Sequence, residues 1–285
     1  MTTTAPIDTV GQALARARQL GIDRLDAQLL LAHRLGRPRE WVIAHDDAAL
    51  TAGDVRQLAD LFARRADGEP LAYLVGEREF RGLVLHVGPD VLVPRPDTET
   101  LVEWALDCLS ALPSPRVLDL GTGSGAIALA IKHACSRAEV HASDRSAGAL
   151  AVARANGLAL GLQVHWHEGV WWDAAPPGTF DLVVANPPYV AAGDPHLAAL
   201  RHEPLLALVP QDDRGDGMAD LARIIAGAPP KLRPGAWLLL EHGPTQGADV
   251  HALLAKSGLA DACTHNDLAG RPRVSGARHR SGSSH

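Results

Sequence analysis

Val117-Leu118-Asp119-Leu120-Gly121-Thr122-Gly123-Ser124-Gly125 decides the fold. A short apolar run ends in three glycines at alternate positions, and an apolar periodic stretch follows from Ala126 to His133, which reads as strand, turn and helix. The alternation then repeats. Ala138 to Ser143 reads as a strand ending at Asp144, Ala147 to Ala159 as a helix, and Gln163 to His167 and Asp181 to Ala185 as two more strands. A long loop from Val190 to Gly217 leads to a helix from Met218 to Ala228 and a strand from Ala236 to Glu241. Strands alternating with helices predict an α/β doubly wound, mostly parallel sheet. Beyond it, Leu253 falls on a helix, and Ala260 to Thr264 with Pro272 to Ala277 read as a closing antiparallel pair.

The chain upstream of this sheet has a different texture. Asp8 reads as the cap of an amphipathic helix carrying Val10, Leu14 and Ala17, and Asp23 as the cap of a second that ends at Gly36. Pro38 to Ile43 adds a further turn of helix, and Asp54 to Arg65 a fourth helix with Val55, Leu58, Leu61 and Phe62 on one face. A small helical domain over 1–75 is expected. Phe80, Leu83, Leu85 and Val87, then Val91 and Val93, read as a hairpin over 76–95 turning at Gly88-Pro89-Asp90. It runs into Arg95, held between two prolines, and into a helix that starts at Pro96 and Asp97 or Thr98 and reaches about Leu109. The sheet domain is expected to occupy 96–278. The polar, Ser/Gly-rich residues from Arg278 onward read as frayed, with 279–285 a flexible tail.

Composition narrows the function classes. The 285 residues are 46% hydrophobic and 21% charged, an ordinary globular balance with room for two domains. A net charge of -6 argues against broad, non-specific nucleic-acid binding. No run is long enough to span a membrane, and Met1 to Pro6 lacks signal-peptide character, so a cytoplasmic protein is expected. Three scattered cysteines suggest neither a disulfide framework nor zinc, and no pair of the 14 histidines has a carboxylate partner at helical metal-site spacing.

Two stretches carry the chemistry. A Gly-rich turn between strand and helix lets a ligand approach the backbone at the positive helix end. Asp144, at the tip of the second strand, can accept hydrogen bonds from both hydroxyls of a ribose. Gly121 to Ala126 also fits the loose dinucleotide pattern Gly-x-Gly-x-x-Ala, so the glycines alone do not separate a dehydrogenase from a methyltransferase. Asp119 tilts the choice, because a carboxylate facing the mouth of the site would repel a pyrophosphate and suit the cationic end of S-adenosylmethionine. The second stretch is Val183-Val184-Ala185-Asn186-Pro187-Pro188-Tyr189. Pro187 lacks an N–H and holds Asn186 extended, so the strand stops with unpaired carbonyls beside the Asn186 amide, a corner suited to a planar NH2 group. A strand that merely ends in a proline turn would show the same residues.

Together these motifs resemble the PrmC/HemK family of protein-(glutamine-N5) methyltransferases, which modify peptide chain release factors. The similarity extends to Val93-Pro94-Arg95-Pro96-Asp97-Thr98-Glu99, Asp194-Pro195-His196-Leu197, His202-Glu203-Pro204, Leu240-Glu241-His242-Gly243 and Asp267-Leu268-Ala269-Gly270-Arg271-Pro272-Arg273. The resemblance implies a class I S-adenosylmethionine-dependent methyltransferase fold, Rossmann-like with seven strands. Gly121, Thr122, Gly123, Ser124 and Gly125 would hold the methionine moiety and Asp144 the ribose. Asn186, Pro187, Pro188 and Tyr189, with Arg95, would hold the glutamine of the Gly-Gly-Gln tip of class I peptide chain release factors. One departure stands out: where the family often has an acidic residue before an aromatic near the adenine, this chain reads Glu168-Gly169-Val170-Trp171-Trp172. Trp171 is the expected aromatic, although an ungapped alignment selects Trp172.

A carboxamide nitrogen is a poor nucleophile because its lone pair is delocalised. The Asn186 oxygen and the Pro187 carbonyl are expected to accept its two N–H bonds, with Tyr189 packed on the amide plane. A DNA amino-methyltransferase could use the same corner but usually carries a basic recognition region. A ribosomal-protein glutamine methyltransferase shares the corner and His202-Glu203-Pro204 but differs at Arg95-Pro96-Asp97-Thr98-Glu99. A non-enzymatic adaptor would be expected to have lost Asp144 and the glycines. The expectation is a monomeric release-factor enzyme that makes no direct contact with nucleic acid.

Overall fold

The computed structural model describes residues 7–280; Met1 to Pro6 and the last five residues of the expected tail lie outside them. The chain divides into two compact units at Gly76/Glu77.

The first unit is helical: α1 (Val10–Gln19), α2 (Arg24–Leu35), α3 (Arg39–Ala44), α4 (Ala52–Ala66) and α5 (Leu71–Val75). Val10, Ala13 and Ala17 of α1, Leu30 and Leu31 of α2, and Leu58 and Phe62 of α4 share its core, each almost completely buried. Burial of each such Leu or Phe is worth about 1.5–3 kcal/mol. Thr9, not Asp8, caps α1, because its hydroxyl and the Gln12 side chain form a reciprocal capping box. Thr51 and Asp54 do the same for α4, which therefore starts at Ala52 and not at Asp54. Asp23 caps α2 and Gly36 closes it in the left-handed conformation, as expected.

The second unit begins with a hairpin, β1 (Glu77–Phe80) and β2 (Leu83–His86). Its turn is Arg81-Gly82, both at positive φ, and not Gly88-Pro89-Asp90. A two-residue turn of that handedness matches the twist of paired strands, whereas Val91 and Val93 lie outside the strands and line a cleft instead. Phe80, Leu83 and Leu85 sink into the core of this unit.

After α6 (Glu99–Leu109) come β3 (Arg116–Leu120), α7 (Ala126–Ala134), β4 (Glu139–Asp144), α8 (Ala147–Leu160), β5 (His165–Glu168) and β6 (Phe180–Ala185). The chain then runs through α9 (Ala219–Gly227), β7 (Leu232–Glu241), α10 (Gly247–Lys256), β8 (Ala260–Asn266) and β9 (Pro272–Arg278). The sheet has the order β5-β4-β3-β6-β7-β9-β8, with β3 to β7 parallel and the last two strands antiparallel. Beyond Arg278, His279 still exchanges backbone hydrogen bonds with Gly235 and Ala236, so fraying does not begin at Arg278.

Both sheet faces are covered. Leu182 and Val184 of β6 face the core shared with α6 and α7, while Phe180 and Val183 face the core shared with α9 and α10. At the amino ends, the Asp181 carboxylate accepts from Arg116 N at 2.7 Å and Arg233 Nη1 at 2.6 Å, tying three strands together. Chain order reverses between β3 and β6, the position where open α/β sheets bind ligands at their carboxyl ends. No helix among the described residues is long and apolar enough to cross a membrane.

Asn156 of α8 is almost completely buried and joins three segments. It accepts from His86 N at 2.7 Å and donates to the carbonyls of His86 and Ser124 at 3.0 and 2.9 Å. Asn156→Ala would leave these groups without partners and is expected to cost about 2–4 kcal/mol. Urea unfolding followed by tryptophan fluorescence checks this, since Trp104, Trp166, Trp171, Trp172 and Trp237 all lie in this unit.

Candidate active site

The glycine turn is attached to the neighbouring strand. Gly121 N and Thr122 N both donate to the Ser143 carbonyl, at 2.8 and 2.9 Å, so β3 curls toward the tip of β4. Gly121, Gly123 and Gly125 all have positive φ, which explains why this turn needs glycines at alternate positions. Asp144 stands where the sequence places it, on the cleft wall. One carboxylate oxygen accepts from Gly123 N and the other from Ser146 N, both at 2.9 Å, so its side chain braces the turn and keeps lone pairs for a ligand. Burial pushes its pKa up, and the backbone donors pull against that.

Asp119 does not face the mouth. Its side chain is completely buried below the turn, with Oδ2 accepting from the Thr122 hydroxyl at 2.6 Å and Oδ1 finding no hydrogen-bond partner among the described residues. A residue within β3, opposite Ala142 and Val184, points into a layer, and the turn closes over it. Burial raises its pKa to about 7, opposed by the Thr122 hydrogen bond.

The two tryptophans separate. Trp171 has a positive φ and lines the cleft, with its ring so near Gly121 that a Cβ there would sit 3.0 Å from Cζ3. Its indole N–H donates to Asp220 Oδ1 at 3.0 Å. Trp172 turns away into the core, donating to the Ile224 carbonyl of α9 at 3.0 Å and filling the space a side chain at Gly227 would need. The ungapped choice of Trp172 is therefore corrected in favour of Trp171. Asp220 brings a carboxylate to the cleft wall beside Trp171, and nothing in the residues around it marks it in the sequence.

Asn186 and Pro188 line the same cleft. Asn186 Nδ2 donates to the Thr98 hydroxyl at 3.3 Å, which leaves Oδ1 as its free acceptor. Pro187 is buried, and Tyr189 is turned into the core instead of forming a cleft wall. Its hydroxyl donates to Glu241 Oε1 at 3.1 Å, and its carbonyl accepts from Gln246 Nε2 at 3.1 Å. Gln246 also accepts from Gly243 N and donates to the Asp216 carbonyl, so one side chain holds three loops. Glu241 is completely buried, and burial raises its pKa to about 7.

Arg95 reaches the cleft and pairs with Glu203 Oε1, while Glu203 Oε2 accepts from Val93 N at 3.1 Å. The buried Glu203 thus joins the segment after the hairpin to the long loop. The motifs His202-Glu203-Pro204 and Leu240-Glu241-His242-Gly243 were visible as patterns, but their supporting roles were not.

The cleft is an open groove between the glycine turn, Asp144, Trp171 and the Asn186 corner. Only a glycine at 121 leaves space beneath the Trp171 ring, and Asp144 offers acceptors to a ribose. These residues fit S-adenosylmethionine.

Residues 9–76 match the PrmC N-terminal domain and residues 98–202 the methyltransferase small domain. The chain is 49% identical to the release factor glutamine methyltransferase of Bordetella pertussis, over 90% of this chain and 95% of that one. It is 41% identical to that of Escherichia coli K12, over 94% and 96% of the two chains. A methyltransferase from Pyrococcus furiosus, 17% identical, superimposes with a TM-score of 0.52 over 70% of this chain and 90% of that one, a likeness of fold. The fold is that of the class I methyltransferases, and with two domain matches and full-length identity above 40% the chain belongs to the release factor glutamine methyltransferase family.

Proposed function

We propose that the cleft binds S-adenosylmethionine and that the protein methylates the side-chain nitrogen (N5) of the glutamine in the Gly-Gly-Gln motif of class I peptide chain release factors. The observation that carries this reading is the strand register Leu120↔Ala185, which makes Gly121 and Asn186 leave neighbouring strands side by side. A turn suited to the donor and a corner suited to a carboxamide thus share one cleft. Full-length similarity to enzymes named for this reaction supports the choice of acceptor.

In this reading Gly121 to Gly125 cradle the methionine end, Asp144 takes the ribose hydroxyls, and Trp171 forms the adenine wall. S-adenosylmethionine supplies the electrophilic methyl group. Asn186 Oδ1 and the Pro187 carbonyl accept the two N–H bonds of the substrate carboxamide, aim its lone pair and stabilise positive charge developing on nitrogen. Tyr189 anchors the corner through Glu241 and Gln246. No strong base is required, since the proton becomes acidic once the nitrogen carries four substituents, and water can remove it. Asp119 supports the turn through Thr122. Arg95 and the helical unit over 1–75 contribute to recognition of the protein substrate. The reading places the protein in the cytoplasm as a monomer without direct nucleic-acid contact.

Incubation with labelled S-adenosylmethionine and purified release factors, ribosomal proteins or DNA, followed by mapping of the label, tests the acceptor. Label is expected on the Gly-Gly-Gln glutamine; label on a ribosomal protein or on DNA instead would overturn the reading. Asn186→Ala is expected to lower kcat about 10²-fold or more while S-adenosylmethionine binding by calorimetry stays near wild type.

Asp119 ties the donor turn to the pH dependence of stability. With a folded-state pKa of about 7 against an ordinary value of 3.8, it binds more protons in the folded chain between those two pH values. Its stabilisation is full below pH 4 and is lost as pH rises through 7. Urea titrations at pH 5 and pH 8 are expected to show a smaller fall in unfolding free energy for Asp119→Asn than for wild type.

A further inference from the structure

Asn186 can serve a carboxamide only if its amide is turned the right way, since its NH2 end in the cleft would meet the substrate N–H groups donor to donor. Two buried side chains beside it, Thr98 on the cleft wall and Glu241 beneath, are arranged to dictate that orientation. Thr98, just before α6, is buried, and its hydroxyl meets Asn186 Nδ2 at 3.3 Å. Glu241, at the end of β7, is completely buried; its Oε1 accepts from the Tyr189 hydroxyl, and its Oε2 has no hydrogen-bond partner among the described residues. The Thr98 hydroxyl is near enough to this carboxylate to favour its charged form, and a small rotation of the hydroxyl would bring the two into hydrogen-bonding geometry.

We propose that Thr98 and Glu241 are positioning residues for methyl transfer, forming a one-way relay in which the Glu241 carboxylate takes the Thr98 proton and Thr98 can then only accept from Asn186. The logic is that of donor and acceptor inventory. Once ionised, as pH rises above about 7, the Glu241 carboxylate accepts and never donates, so the hydroxyl beside it spends its single proton there. What remains toward Asn186 is a lone pair, which selects the NH2 end of the amide. Oδ1 is thereby left facing the substrate without depending on the substrate to orient it. The same carboxylate fixes the Tyr189 hydroxyl, so one buried charge sets both sides of the corner. Arg273 and Asp97 also face Glu241: Arg273 favours its charged form, while burial and the Asp97 carboxylate oppose it.

This rests on the assignment of Asn186 as the carboxamide holder, and the experiment separates the two. Full-length Thr98→Val, Thr98→Ser, Glu241→Gln and Asn186→Ala are assayed with a purified class I release factor and labelled S-adenosylmethionine, with donor binding measured by calorimetry. Thr98→Val, equal in shape but without the hydroxyl, is expected to lower kcat about 10- to 100-fold with the KM for S-adenosylmethionine within about twofold of wild type. Thr98→Ser is expected to recover the rate to within about threefold. Glu241→Gln, which can donate as well as accept, is expected to lower kcat about 10-fold or more with donor binding retained. A wild-type kcat in Thr98→Val or Glu241→Gln while Asn186→Ala is inactive would overturn the relay alone. Equal losses in Thr98→Val and Thr98→Ser, or loss of donor binding along with rate, would also overturn it by assigning Thr98 to the fold. A wild-type rate in Asn186→Ala would overturn the corner itself and the relay with it.

Discussion

Everything in the active cleft follows from two adjacent parallel strands that stop at the same level for different reasons. At β3 the chain turns because three glycines can take positive φ, and at β6 it stops because Pro187 has no N–H to give. Ladder register pairs Leu120 with Ala185, so the two exits are held at the spacing of neighbouring strands. A donor site and an acceptor site built on such ends share the rigidity of the sheet core, where Leu118, Leu120, Val183 and Ala185 are completely buried. Positioning of this kind is what the attack of a weak nucleophile demands.

Rigidity around this point is obtained with buried polar groups. Asp119, Glu241, Asp267 and Arg273 are all buried, and most of their atoms have partners: Arg273 pairs with Asp267 at 3.1 Å and with Asp97 at 3.2 Å. Apolar residues in these places would often be neutral or stabilising, as buried ionic groups carry a large desolvation cost. Their benefit is directional, because a hydrogen bond sets which end of a side chain points where and an apolar contact does not. Asp119 Oδ1, Glu241 Oε2 and Arg273 Nε find no hydrogen-bond partner among the described residues and carry part of that cost.

The supports also explain why the long loop between β6 and α9 belongs to the site. Glu203 reaches from it to Val93 and Arg95, and Asp216 within it is held by Gln246 from the start of α10. The segment following the hairpin and this loop thus line the cleft together, joined through Glu203.

Local sequence by itself determined the alternating strands and helices, the glycine turn, Asp144 at a strand tip and the Asn186-Pro187 stop, because each follows from backbone restrictions acting over a few residues. The hairpin turn was misplaced for a related reason: Gly88-Pro89-Asp90 is the stronger turn composition, but only strand pairing reveals that Arg81-Gly82 makes the hairpin. Tertiary structure alone decided which tryptophan faces the cleft, that Asp119 lies under the turn, that Tyr189 points into the core, and that Thr98, Asp220, Glu203 and Gln246 take part. Those outcomes depend on partners far along the chain: Thr98 is 88 residues from Asn186, Glu241 is 52 from Tyr189, and Glu203 is 110 from Val93. A side chain's direction and the satisfaction of its hydrogen bonds are properties of the packed layer it enters, and that layer exists only once the sheet has assembled.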